Sequence, residues 1–185
     1  MGGYEAAARR FLDNLEDINI LVKLDFSNAF NTLFRDKMLQ ALYTILPEIA
    51  VFCSLAYSEP SNLKYGEFSH LSQVGPQQGD PLGPLLFCLP LQPILAEMAS
   101  PLTLGYLDDV TLGGKTQVVA DDIAKLEEQC KTLGLLLNRS KCEVISRSPI
   151  ITQDTHQLNQ FTWTSPNYAM LLGAPSRPVT HCQRP

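Results

Sequence analysis

The sequence predicts an α+β fold, an antiparallel sheet with helices packed on one face. Three observations lead there. INILVKLDF, residues 18–26, is β-branched and apolar, the pattern of a buried central strand ending near Asp25. Residues 102–113 alternate apolar and small or polar residues on both sides of Asp108 and Asp109, as a hairpin with two acids at its tip would. The remaining segments give the order β, α, a variable insert, α, a ββ hairpin, α and β, which a helix-covered sheet accommodates.

In chain order, residues 4–17 have Ala-rich helix composition, with Phe11 and Leu15 four apart as a packing face. RDKMLQALYTIL, 35–46, has helical spacing at Met38, Leu42, Ile45 and Leu46 and stops before Pro47. A short helix at about 48–57 follows, then a hairpin around Gly66 in NLKYGEFSHL, 62–71. VGPQQGDPLGP, 74–84, is a Gly/Pro loop leading into a helix at roughly 82–99, which Pro90 and Pro93 are expected to kink or break. Residues 116–134 form an amphipathic helix closed by Gly134. A turn at 138–140 leads to a strand at 141–146, residues 148–168 are irregular, and 169–175 form a short strand.

The chain has 185 residues, one ordinary domain, with 45% hydrophobic and 18% charged residues. A net charge of -5 and no basic run count against an autonomous nucleic-acid binder. Five cysteines without CxxC spacing suggest neither a disulfide framework nor a zinc site, and His70, His156 and His181 lack ligand spacing. The most apolar stretch, 82–107, is broken by four prolines and is a poor membrane span, and the first residues have no apolar signal core. The expectation is an intracellular, cytoplasmic or nuclear chain without membrane contact.

Adjacent like charges cost free energy unless a cation, a proton or open water relieves them. A solvated Asp-Asp turn would be unremarkable, since Asp is a common turn residue. A strand ending at Asp25, placed beside the hairpin tip, changes that by bringing three acids together. Unpaired carboxylates do not gather without a counter-charge, so a divalent metal becomes the favoured explanation.

LVKLDFSNAFNTL (21–33), GPQQGDPLGPLLF (75–87), GYLDDV (105–110), LGLLLNRSKCEV (133–144) and LLGAP (171–175) resemble the successive palm motifs of reverse transcriptases, most closely those of LINE-type, non-LTR retrotransposons. The resemblance implies a polymerase palm over residues 1–175, with a partial fingers insert at about 45–80 and a disordered tail at 176–185. Asp25 matches the first metal-binding aspartate and Asp108 the second, holding Mg²⁺ with Mn²⁺ as a substitute. Asp109, next on the strand, is expected to face the other way and to matter less. The backbone carbonyl of Phe26 looks like a further metal ligand.

Phe30 falls where the family places its steric gate against a ribose 2′-hydroxyl, the alternative being a core phenylalanine. Gln78 and Gly79 resemble the loop under the incoming nucleotide, while Asp80 caps the helix that follows. Lys141 matches a candidate general acid for the pyrophosphate leaving group, the alternative being a solvated strand-edge lysine. Leu171, Leu172 and Gly173 resemble the primer grip. Implied partners are an RNA template, a DNA primer and dNTP.

The sequence departs from LINE-type enzymes at Gly83, commonly Ser, and Leu107, commonly Ala. The resemblance implies basic finger segments before the first motif and a thumb after the last, which these 185 residues do not show. The expectation is a palm-centred fragment of a parent polyprotein or a truncated retroelement copy. Little polymerase activity is therefore expected of the chain alone. Two functional expectations follow. One is a core fragment of an RNA-directed DNA polymerase; the other is a degenerate, non-catalytic retroelement remnant that acts only as a folded or interaction domain.

Overall fold

The computed structural model describes residues 18–146, 158–164, 170–171 and 174–175. The expected helix at 4–17 and the tail at 176–185 lie outside them. The chain divides into two compact units. The first comprises residues 1–25, 99–124 and 138–185, and the second 26–98 and 125–137.

The first unit is built on a five-stranded sheet. Its strands are β1 (Ile20–Leu24), β4 (Leu102–Tyr106), β5 (Asp109–Gly114), β6 (Glu143–Ser146) and β7 (Thr162–Thr164), in the order β4-β5-β1-β6-β7. The apolar run at 18–26 does occupy the centre, antiparallel to both β5 and β6. Val22, Leu24, Val110, Leu112 and Val144 point to one face and are buried. Helix α4 (Thr116–Thr132) packs its first half there, with Val119, Ala120 and Ile123 buried. A Cβ on Gly114 would stand 2.8 Å from Pro101 Cδ and 3.6 Å from Val119 Cγ2, so glycine permits this close approach.

The opposite face carries a small apolar cluster at one end, Ile18, Leu21, Leu102 and Ile145, and polar groups at the other. Alternation along β1 puts Leu21, Lys23 and then Asp25 on that second face. Two details differ from the sequence expectation. β7 arises within residues read as irregular and pairs parallel to β6, so the sheet is mixed. The segment at 169–175 contains two paired strands, β8 (Met170–Leu171) and β9 (Ala174–Pro175), rather than one. Short strands carry too few residues to show a period.

The second unit holds helices α1 (Arg35–Ile45), α2 (Pro47–Tyr57) and α3 (Gly83–Ala96) and the hairpin of β2 (Ser61–Tyr65) and β3 (Phe68–Ser72). It also contains the second half of α4. Helix α1 buries Arg35, Met38 and Leu42, and Pro47 opens α2 at a position where its missing N–H costs nothing. Helix α3 runs through Pro90 and Pro93 to Ala96, so the prolines do not break it. Each removes one helical donor, while Leu86, Phe87, Leu91 and Ile94, all buried, hold the helix by packing. No helix among the described residues is long and apolar enough to cross a membrane.

Candidate active site

The pairing of β1 with β5 sets Leu24 opposite Val110, which places Asp25 across from Asp109 one step further along. Tyr106 pairs with Asp109, leaving Leu107 and Asp108 as a two-residue turn. Leu107 sits at φ 56°, a left-handed conformation uncommon for a side chain of this size. Asp25 and Asp109 line one cavity of about 350 Å³ in the first unit, together with Lys23, Ser140, Lys141 and Glu143.

Asp108 is not among the residues lining that cavity. Its charge nevertheless reaches Asp109. Burial pushes the Asp109 carboxyl above the usual range, Asp108 and Asp25 add to the rise, and Lys23 opposes it. Lys23 also pairs with Glu143 at 3.6 Å, directly opposite it across β1 and β6. The expectation that Asp109 faces away from Asp25 is therefore corrected. The alternation does not run through the tip, because the two turn residues interrupt it and it restarts at Asp109.

The gathering of three acids into one metal cage is not seen. Among the described residues no group of three or more His, Cys, Asp and Glu side chains is arranged to hold a metal ion. Two carboxylates facing one cavity, with a third whose charge adds to the rise at Asp109, are oxygen donors of the kind a hard divalent cation takes. A carboxyl whose pKa is higher in the fold binds more protons folded than unfolded, so stability falls as pH rises through that window and stays lower above it. Asp109→Asn should therefore raise the melting temperature of the metal-free protein at pH 7, measured by circular dichroism, and the difference should shrink in acid.

Lys141 is exposed and follows a tight turn in which the Lys141 and Cys142 amides donate to the Asn138 carbonyl at 2.9 and 3.2 Å. That turn supplies the Ser140–Lys141 wall of the cavity.

Phe26, Phe30, Gln78, Gly79 and Asp80 lie in the second unit. Phe26 is buried and bridges Leu137 through its backbone. Phe30 sits in a 3-10 turn (Ala29–Asn31) entered through Asn28 at φ 49°. Its half-exposed ring stacks on Phe87 with centroids 5.5 Å apart, and a Cβ on Gly83 would stand 3.1 Å from its Cζ. Gln78 is exposed and its amide donates to Asn31 Oδ1 at 3.3 Å; Gly79 lies at φ 87° in open space. Asp80 accepts the Leu82 amide at 2.8 Å, a turn bond just ahead of α3; the N-cap of that helix is Leu82, without a side-chain cap, so the expected capping by Asp80 is corrected.

What holds this loop has no local signal in the sequence. The Tyr57 hydroxyl donates to Asp80 Oδ2 and accepts the Gln77 amide at 3.1 Å. Burial and the bond to Asp80 push the tyrosine up to about 12. Under its ring lies Arg35, buried, donating to the carbonyls of Gly75 and Ser72 at 3.0 and 2.8 Å. Tyr57→Phe leaves the Gln77 donor without this acceptor, a cost of about 1–3 kcal/mol, or roughly 2–12 °C in melting temperature for a chain of this size. A thermal melt checks it.

The model of the family described as reverse transcriptase (RNA-dependent DNA polymerase) matches residues 3–169. The chain belongs to the reverse transcriptase family. A relative is the retrotransposable element SLACS 132 kDa protein of Trypanosoma brucei gambiense, 28% identical over 167 residues, covering 84% of this chain and 14% of the relative. Among solved structures, apo telomerase from Candida tropicalis, truncated from the C-terminal domain, superposes with a TM-score of 0.60 at 15% identity, covering 80% of this chain and 35% of that one. The fold is thus the α+β polymerase palm, and this reverse transcriptase chain spans a small part of the length of the retrotransposon protein. Of the residues that resemble the primer grip, Leu171 ends β8; Leu172 and Gly173 lie outside the described residues.

Proposed function

We propose that this chain is the core of an RNA-directed DNA polymerase that adds deoxynucleotides from dNTP to the 3′-OH of a primer paired to an RNA template. The observation that carries the reading is the pair Asp25 and Asp109 facing one cavity beside Lys141 in a member of the reverse transcriptase family. Asp25 and Asp109, with Asp108 from the turn, would hold the divalent cations, Mg²⁺ or Mn²⁺; Phe26, the chain neighbour of Asp25, is a candidate carbonyl ligand. Bound there, the cations would supply Lewis-acid activation of the 3′-OH and neutralise charge on the triphosphate.

The protein's own residues have separate parts. Lys23 and its partner Glu143 fix the electrostatic setting of the carboxylates. Lys141, presented by the 138–142 turn, donates a proton to the departing pyrophosphate. Phe30, its ring stacked on Phe87, would be the wall that excludes a 2′-hydroxyl. Gln78 and Gly79 offer an exposed loop whose backbone can approach a nucleotide closely.

The test is primer extension on poly-rA/oligo-dT by a chimera carrying this palm in place of the matching segment of a related polymerase. RNA-templated dNTP addition is expected. A folded chimera that binds the primer-template and extends nothing would overturn the reading. In the same assay Lys141→Ala should lower single-nucleotide incorporation by about thirtyfold with the KM for dNTP little changed, below the range usual for buried general acids because Lys141 is exposed.

A further inference from the structure

Asp25 follows the last residue of β1, where the ladder that fixes the central strand ends. A carboxylate that must meet a ligand at a set distance needs its backbone fixed by something else. The 138–142 turn does this from both sides. The Asn138 amide donates to the Asp25 carbonyl at 2.8 Å. The Asp25 amide donates to Cys142 Sγ at 3.4 Å. The thiol itself faces the Asn138 carbonyl at 3.4 Å and the Asp25 carbonyl at 3.9 Å, so it accepts on one side and donates on the other. Cys142 is fully buried, and its carbonyl accepts the Thr162 amide at 2.9 Å, which ties the turn to β7.

We infer that Cys142 is a positioning residue for Asp25, and that its thiol links the carboxylate to the turn that presents Lys141. The inference rests on the proposed metal-holding role of Asp25. A hydrogen-bonding role and a packing role predict opposite rank orders for two substitutions. Serine keeps a donor and an acceptor but is smaller than the thiol. Valine fills the volume but offers neither. Thiol hydrogen bonds are weak singly, yet an orphaned buried amide is costly.

The experiment measures Mn²⁺ affinity of the 185-residue chain by electron paramagnetic resonance, with exchange of the Asp25 amide hydrogen followed by NMR. Cys142→Ser is expected to keep the affinity within about threefold, as a surviving bond would, and to keep the amide protected. Cys142→Val is expected to weaken Mn²⁺ about tenfold, in line with losses seen when groups behind a metal ligand are removed, and to speed exchange of that amide. Native affinity and protection in Cys142→Val, with loss in Cys142→Ser, would show packing alone and overturn the inference. Asp25→Asn is the control. If it leaves Mn²⁺ affinity unchanged, the metal reading itself fails and the inference with it. If it abolishes binding while Cys142→Val does not weaken it, only the inference fails.

Discussion

Asp25→Asn in the polymerase chimera is expected to lower nucleotide incorporation by about a thousandfold, since a metal supplies several kcal/mol to phosphoryl transfer and each 1.36 kcal/mol is tenfold. Asparagine keeps the backbone bonds that Asp25 makes to Asn138 and Cys142, so the fold should persist. It also removes one of the charges that raise Asp109, so the metal-free variant should melt no lower than the wild type. Single-turnover kinetics with Mg²⁺ and a parallel melt make the measurement. A large loss of rate together with a large loss of stability would assign Asp25 to the fold rather than to the chemistry.

Phe30→Val should cut the preference for dNTP over rNTP by about a hundredfold, because close-packed sites do not deform freely and 2.7 kcal/mol corresponds to that ratio. The geometry sharpens this expectation. The ring stacks on Phe87 of α3, and the absence of a side chain at Gly83 leaves room for its edge there. Valine, being shorter, would open the space that a 2′-hydroxyl needs. Incorporation of dNTP and rNTP by the chimera and its variant gives the ratio. An unchanged ratio with reduced total activity would make Phe30 a core residue whose contact with Phe87 is its whole role.

The central strand and the hairpin were legible because both carry long, clear hydrophobic patterns, and antiparallel pairing of the two follows from the order of elements. That pairing is what sets Asp25 opposite Asp109. Which of the two hairpin acids faces Asp25 was not legible, since the turn interrupts a period of two and only the register locates it. The Tyr57–Asp80 bond spans 23 residues between α2 and a loop, and no spacing rule connects a tyrosine to such a partner. The bonds from Arg35 at the start of α1 to the carbonyls of Ser72 and Gly75 span 37 and 40 residues and have no local signal either. The prolines of α3 show tertiary packing overriding a local rule. β7 was hidden by its length, three residues whose place at the sheet edge is fixed by β6.

Crystals of the chain grown with Mn²⁺ test the proposed binding of a divalent cation at the Asp25–Asp109 face directly, through anomalous diffraction. A peak between the two carboxylates, lost in Asp25→Asn, is the predicted result. Manganese bound only elsewhere, with Lys23 closing the gap between the two carboxylates in well-ordered density, would contradict it.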